Sequence, residues 1–161
     1  MSSGNPFKKD RLCRKSAIMY TDATTEEISE IMSEAWNAFL VFRKYSLKQR
    51  ADLLRNIAKE IDALGDELLT VAAEETSLPE ARLKVERTRT LFQLISYAEG
   101  CEKGDWMDIR IQTADQKKNP NSTDLRKMMV PLGPVVVFGA ANFPFAYSTA
   151  GGDTASALAA G

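Results

Sequence analysis

The stretch from Pro131 to Gly161, PLGPVVVFGAANFPFAYSTAGGDTASALAAG, constrains the fold more than any other part of the chain. Within it, Val135-Val136-Val137-Phe138 is an apolar run with no polar alternation, so both of its faces need cover, as in an interior strand of a parallel sheet. The sequence holds nothing after Gly161 to lie beside that strand. We therefore expect these 161 residues to be the N-terminal part of a larger α/β protein whose sheet layer is incomplete within them.

A composition of 44% hydrophobic and 27% charged residues is enough apolar matter for a packed core and rules out a disordered tail. The 21 basic and 22 acidic residues give a net charge of -1 without long blocks of one sign, so charge points to neither a nucleic-acid nor an acidic-membrane partner. The local cluster Lys8-Lys9-Asp10-Arg11 with Arg14-Lys15 reads as a solvated strand or loop, with a binding patch as the weaker alternative. Histidine is absent and the two cysteines, Cys13 and Cys101, stand far apart. That disfavours a metal site or a disulfide framework and denies the chain a Ser-His-Asp or Cys-His nucleophile of its own. Without an apolar leader or a run of about 20 apolar residues, the default expectation is a cytoplasmic protein.

Residues 1 to 21 are loosely patterned, with a short edge strand expected at Ser16 to Tyr20. Thr24 with Glu27 then fits a capping box, and Ile28, Ile31, Met32, Ala35, Ala38, Phe39 and Phe42 recur at helical spacing, which predicts a helix of about five turns with one buried face. Ser46 with Gln49 repeats the box ahead of a second stripe, Ala51, Leu54, Ile57, Ala58, Ile61 and Leu64. Gly65 ends or bends that helix, and the helical period then continues to Ser77. Pro79 suits the first position of the next helix, with Leu83, the Arg87 stem, Leu91, Leu94, Ile95 and Ala98 facing inward and Gly100 and Gly104 closing it. Trp36 and Trp106 read as packing anchors.

From Trp106 the period falls to two. Met107, Ile109 and Ile111 alternate with Asp108, Arg110 and Gln112, a half-exposed strand, and a polar loop from Asp115 to Asp124 leads to a second strand over Leu125 to Val130. The pair reads as a long-looped hairpin.

The turn after Phe138, Gly139-Ala140-Ala141-Asn142-Phe143-Pro144, lies at the carboxyl end of the expected parallel strand, where α/β sheets place their ligands. It is neither a GxGxxG fingerprint nor a Walker loop, although its small residues let a ligand approach the backbone. Pro144 suits the first position of a helix running from Phe145 to Ala160. Asn142 then falls one place too early to cap. Its amide, a donor that does not titrate, can face the pocket beside the positive end of the helix to hold a developing oxyanion. The plainer alternative is a turn asparagine bonding its own backbone, and spacing alone favours it. In the helix, Gly151-Gly152 with the neighbouring alanines makes a smooth surface for close approach, and Gly161 stands as a C-terminal stop.

In these residues, together with EETSLPEARL at 74 to 83 and AFLVFRKYSLKQRADLLRNIAKEI at 38 to 61, the sequence resembles the aldehyde dehydrogenase superfamily from Thr21 onward. It is most similar to the branch of NADP-preferring fatty-aldehyde and α-ketoglutaric semialdehyde dehydrogenases. The resemblance implies an α/β fold: residues 1–106 as the helical part of a Rossmann-like cofactor domain, 107–130 as a β-hairpin of the oligomerisation arm, and 131–161 as the first strand, turn and helix of the cofactor-binding layer, cut short. It makes Asn142 the oxyanion asparagine, reversing the preference drawn from spacing, and sets Phe138, Gly139, Ala140 and Ala141 along the nicotinamide side of an NADP or NAD pocket. It also implies a homo-oligomer acting on a small aldehyde. In the family a cysteine thiolate attacks the aldehyde, hydride passes to NAD(P)+, and a glutamate-activated water hydrolyses the thioester. The sequence departs from that pattern by ending before the nucleophilic Cys, the base Glu, the ribose-binding Lys and the Gly-rich pyrophosphate turn. Neither Cys13 nor Cys101 stands in the nucleophile's context, so the 161-residue chain is expected to be silent on its own. A reading of a different class is a non-enzymatic short product that pairs with full-length subunits through its hairpin.

Overall fold

The computed structural model describes residues 21–118 and 120–161. The edge strand expected at 16 to 20, the basic cluster and Cys13 lie outside them. Among the described residues the chain forms α1 (Thr25–Phe42), α2 (Leu47–Ala63), α3 (Gly65–Thr76), α4 (Glu80–Lys103), β1 (Arg110–Gln112), β2 (Leu125–Lys127) and α5 (Gly152–Ala160).

Both capping boxes form. The Glu27 amide donates to Thr24 Oγ1 at 3.2 Å while the Thr24 amide donates to Glu27 Oε2 at 2.8 Å, and Ser46 and Gln49 repeat the exchange at 3.2 and 2.9 Å. Each box satisfies two of the amides that a helix start leaves without partners. Leu64 alone lies between α2 and α3, which starts at Gly65 with φ 60°, and Ser77, in the left-handed region at φ 57°, ends α3 ahead of Pro79. Gly100 lies inside α4, and it is Gly104, at φ 70°, that closes the helix. A β-carbon at Gly104 would also sit 3.1 Å from Leu47 Cδ1, so conformation and packing both ask for glycine there.

The core is made by α2, α4 and α5. Ala51, Leu54 and Ala58 of α2 meet Leu94, Ala98 and Cys101 of α4 and Ala155 and Ala159 of α5. The small residues of α5 permit the close approach expected of them, and Gly152 packs against the Gln93 side chain. Arg50, almost fully buried, donates to the Ala160 carbonyl at 2.8 Å and the Arg43 carbonyl at 3.2 Å, satisfying carbonyls at the ends of two helices. On the rim, Arg55 of α2 grips both carboxylate oxygens of Glu102 of α4 at 3.0 and 2.6 Å, and these bonds hold the Glu102 carboxyl below its ordinary range. A second cluster, Leu69, Ala72 and Leu83, joins α3 to α4 and takes Phe145 at its edge.

Four expectations are corrected. α1 has its five turns, but none of its residues is buried. Ile28, Ile31, Met32 and Trp36 face outward, and only Ala35, Phe39 and Phe42 are half-buried. Periodicity marks a face that needs cover without fixing what covers it, and no described element lies over this one. Trp36, at 50% exposure, therefore touches Phe39 and Gly133 without anchoring a core. The hairpin forms with Arg110 opposite Lys127 and Gln112 opposite Leu125, extended by a bridge between Asp115 and Ser122. Its strands are nevertheless shorter than expected and exposed on both faces, because residues Asp105–Met107 turn as a single 3₁₀ step after Gly104. Val135 to Phe138, for which the sequence offered no neighbouring strand, is no correction: it joins no ladder among the described residues, and Val135, Val136 and Phe138 are exposed. The two-stranded antiparallel hairpin is the one sheet among the described residues. The helix expected from Phe145 begins only at Gly152.

No helix among the described residues is long and apolar enough to cross a membrane.

Candidate functional site

The turn after Asn142 starts with a helix-like bond and is broken before α5. The Tyr147 amide donates to the Phe143 carbonyl at 3.2 Å, and the Phe145 and Ala146 amides, which a helix led by Pro144 leaves without backbone partners, both donate to one oxygen of Glu86 on α4, at 2.8 and 3.0 Å. The chain stays in turns through Ala150, closed by the Ala140 amide on the Tyr147 carbonyl at 2.7 Å and the Gly152 amide on the Ala146 carbonyl at 3.1 Å. Gly151 is extended at φ -79°, ψ -170°, and the helix starts one residue later. A glycine pair costs a helix about 1 kcal/mol per residue, so this is an inexpensive place to break it.

Gly151 is also where the turn closes on itself. A β-carbon there would run into the carbonyl oxygen of Ala146 and come within 2.6 Å of its carbon. Backbone cannot yield as a flexible side chain does. Gly151→Ala is expected to destabilise the protein by roughly 1–3 kcal/mol, read as a lower midpoint in thermal unfolding, since added volume in a closed space forces backbone shifts.

One face of α4 holds this turn, through residues at helical spacing. Arg82 donates to the Asn142 backbone carbonyl and lies 5.2 Å from the centre of the Phe143 ring. Glu86, only 5% exposed, takes the two amides. Arg89 donates to the Tyr147 hydroxyl at 2.7 Å and covers that ring at 5.2 Å. Phe143 and Tyr147 meet edge to face at 5.4 Å, and Phe145 tucks against the Leu69, Ala72 and Leu83 cluster. The residues after Phe138 are therefore fixed by contacts to α4, although Val135 to Phe138 itself is uncovered.

The five residues singled out from the sequence run consecutively along the outside of this turn. Phe138 is 87% exposed, Gly139, Ala141 and Asn142 are exposed and Ala140 is half-buried. Among the described residues the Asn142 side chain makes no hydrogen bond, and Asn142 is held through its backbone carbonyl. Gly139 leaves room for close approach, since a β-carbon there would already meet Ser148 Oγ at 3.2 Å.

Cys101 is no nucleophile here. It is buried in the core with its thiol directed at the Ala159 and Leu47 carbonyls, at 3.3 and 3.5 Å, and burial pushes its ionisation upward. A buried thiol that stays protonated reacts slowly. Cys101 is expected to resist iodoacetamide in the native protein and to be alkylated in denaturant, as peptide mass spectrometry would read.

Arg82, Glu86 and Arg89 escaped the sequence reading. A signal for Glu86 was present: with Leu83, Thr90 and Leu94 it occupies the inward stripe of α4, where an unpartnered carboxylate is costly.

The chain belongs to the aldehyde dehydrogenase family, whose family model matches residues 2–161. It is 46% identical over 144 residues to the alpha-ketoglutaric semialdehyde dehydrogenase of Acinetobacter baylyi, covering 89% of this chain and 27% of that protein. It is 48% identical over 140 residues to alpha-ketoglutaric semialdehyde dehydrogenase 2 of Azospirillum brasilense, covering 86% of this chain and again 27% of the relative. The chain thus spans about 27% of the length of the curated relatives it matches.

Proposed function

We propose that this chain supplies the N-terminal part of an NAD(P)-dependent aldehyde dehydrogenase that oxidises an aldehyde to a carboxylic acid, with α-ketoglutaric semialdehyde as the substrate its relatives' names suggest. The observation that supports the reading is the free amide of Asn142, presented by a turn whose backbone is fixed from behind. In that role the amide donates to the aldehyde oxygen as negative charge develops on it, which lowers the barrier because the donor is already in place. Phe138, Gly139, Ala140 and Ala141 suit the nicotinamide side of the cofactor: small side chains leave the backbone approachable, and Phe138 offers an uncovered ring. Bound NAD(P)+ would accept the hydride released as the aldehyde carbon is oxidised. The nucleophilic cysteine and the base glutamate would come from the three quarters of the relatives' length that this chain does not span.

The deciding experiment is an assay of the full-length protein carrying this segment. It should reduce NAD+ or NADP+ only when α-ketoglutaric semialdehyde or another small aldehyde is added, while the 161-residue chain does not. A full-length protein that is inert toward aldehydes with both cofactors would overturn the proposal.

The hairpin supports a role in assembly. Among the described residues each of its two strands has one partner and one open edge, with Ile109, Ile111 and Leu125 exposed, and open edges invite added strands. It would join subunits into a homo-oligomer, and the same edges would let a short non-enzymatic product pair with full-length subunits. Co-purification of the tagged 161-residue chain with the full-length protein tests the second use.

A further inference from the structure

We infer that Glu86 and Arg82 are positioning residues that preset Asn142 for catalysis, an assignment that rests on the reading of Asn142 as the oxyanion donor. Glu86 brings one oxygen to the amides of both Phe145 and Ala146, three and four residues beyond Asn142. A charged acceptor shared by two backbone donors gives stronger bonds than neutral partners would. Arg82, one turn earlier on the same helix, takes the Asn142 carbonyl. The backbone from the Asn142 carbonyl to the Ala146 amide is thus tied to a single rigid element, α4, while the Asn142 side-chain amide has no partner among the described residues.

Burial makes this more than a surface contact. Glu86 is 5% exposed, its Oε2 is enclosed without a hydrogen-bond partner, and a carboxylate on an apolar stripe costs stability that leucine would not. Packing alone gives no reason for a carboxylate here. The amides of the turn do: by accepting from both, Glu86 satisfies two donors that the turn after Pro144 leaves without backbone partners. An oxyanion donor must be in place before charge appears, and small displacements of such groups cost rate directly.

The test is a double-mutant cycle in the full-length enzyme, with kcat and the KM values for aldehyde and NAD(P)+ measured separately. Glu86→Ala and Arg82→Met are each expected to lower kcat about tenfold, the loss of a charge-assisted bond, with KM for NAD(P)+ unchanged. Neither should lower kcat further once Asn142→Ala is present, and Glu86→Gln, which keeps the accepting oxygen, should restore most of the loss. Losses that multiply with that of Asn142→Ala would overturn the positioning role. So would wild-type kcat in Arg82→Met, an exposed site where folding is not at issue, even if Glu86→Ala fails to fold. An Asn142→Ala enzyme with wild-type turnover would instead remove the oxyanion reading and the positioning role with it, so that single variant tells the two failures apart.

Discussion

Replacing Asn142 with alanine in the full-length enzyme is expected to lower kcat by about 10²- to 10³-fold, the usual cost of deleting one oxyanion donor. The size of the effect follows from how the residue is held. Its backbone carbonyl accepts from Arg82, the amides three and four residues further on are held by Glu86, and its side-chain amide has no competing partner among the described residues. Alanine removes the donor and leaves that scaffold untouched, so cofactor affinity and the unfolding midpoint should barely change. Steady-state kinetics with nucleotide binding measured in parallel would check this. Unchanged turnover would take Asn142 out of the mechanism, and a large fall in cofactor affinity would mean that the side chain serves binding instead.

Leu54→Ala is expected to cost about 2–5 kcal/mol in chemical unfolding, the range for large-to-small changes in a closed core. Leu54 is fully buried at the centre of the α2, α4 and α5 cluster, beside Leu94 and the small residues Ala51, Ala58, Ala98 and Ala155. The buried side chains around it are mostly alanines, and the larger Leu47, Ile57, Ile61, Leu91 and Leu158 pack from the rim, so part of the cavity should remain open. A loss below about 1 kcal/mol would show that the rim closes over the gap.

What was legible in the sequence was what is local. Thr24 with Glu27 and Ser46 with Gln49 reach only three residues, so both capping boxes could be read from spacing alone, and the apolar stripes of α2 and α4 placed most of the core. For Glu86 only its inward place beside Leu83 and Leu94 was legible, because its partners lie 59 and 60 positions away. The misplaced start of α5 has another cause: Pro144 gives a sound local signal for a first helical residue, but the run is interrupted at Gly151, which is extended and packed closely on the Ala146 carbonyl. Asn142 stood out only through family resemblance, since an asparagine in a turn is ordinary by itself. The α1 stripe announced a buried face, and its sequence could not say that no described element would supply the cover.

Val135 to Phe138 has a consequence for biosynthesis. At the moment Gly161 leaves the ribosome, α2, α3 and α4 already hold everything needed to pack together, since their mutual contacts lie within a continuous stretch of chain. Among the described residues the valines that follow join no strand. While uncovered they form a short, extended, apolar segment of the kind that nascent-chain chaperones grip and that stray polypeptides add onto. The Asn142 turn would thus be set early by the helices behind it, ahead of any cover for the residues that lead into it.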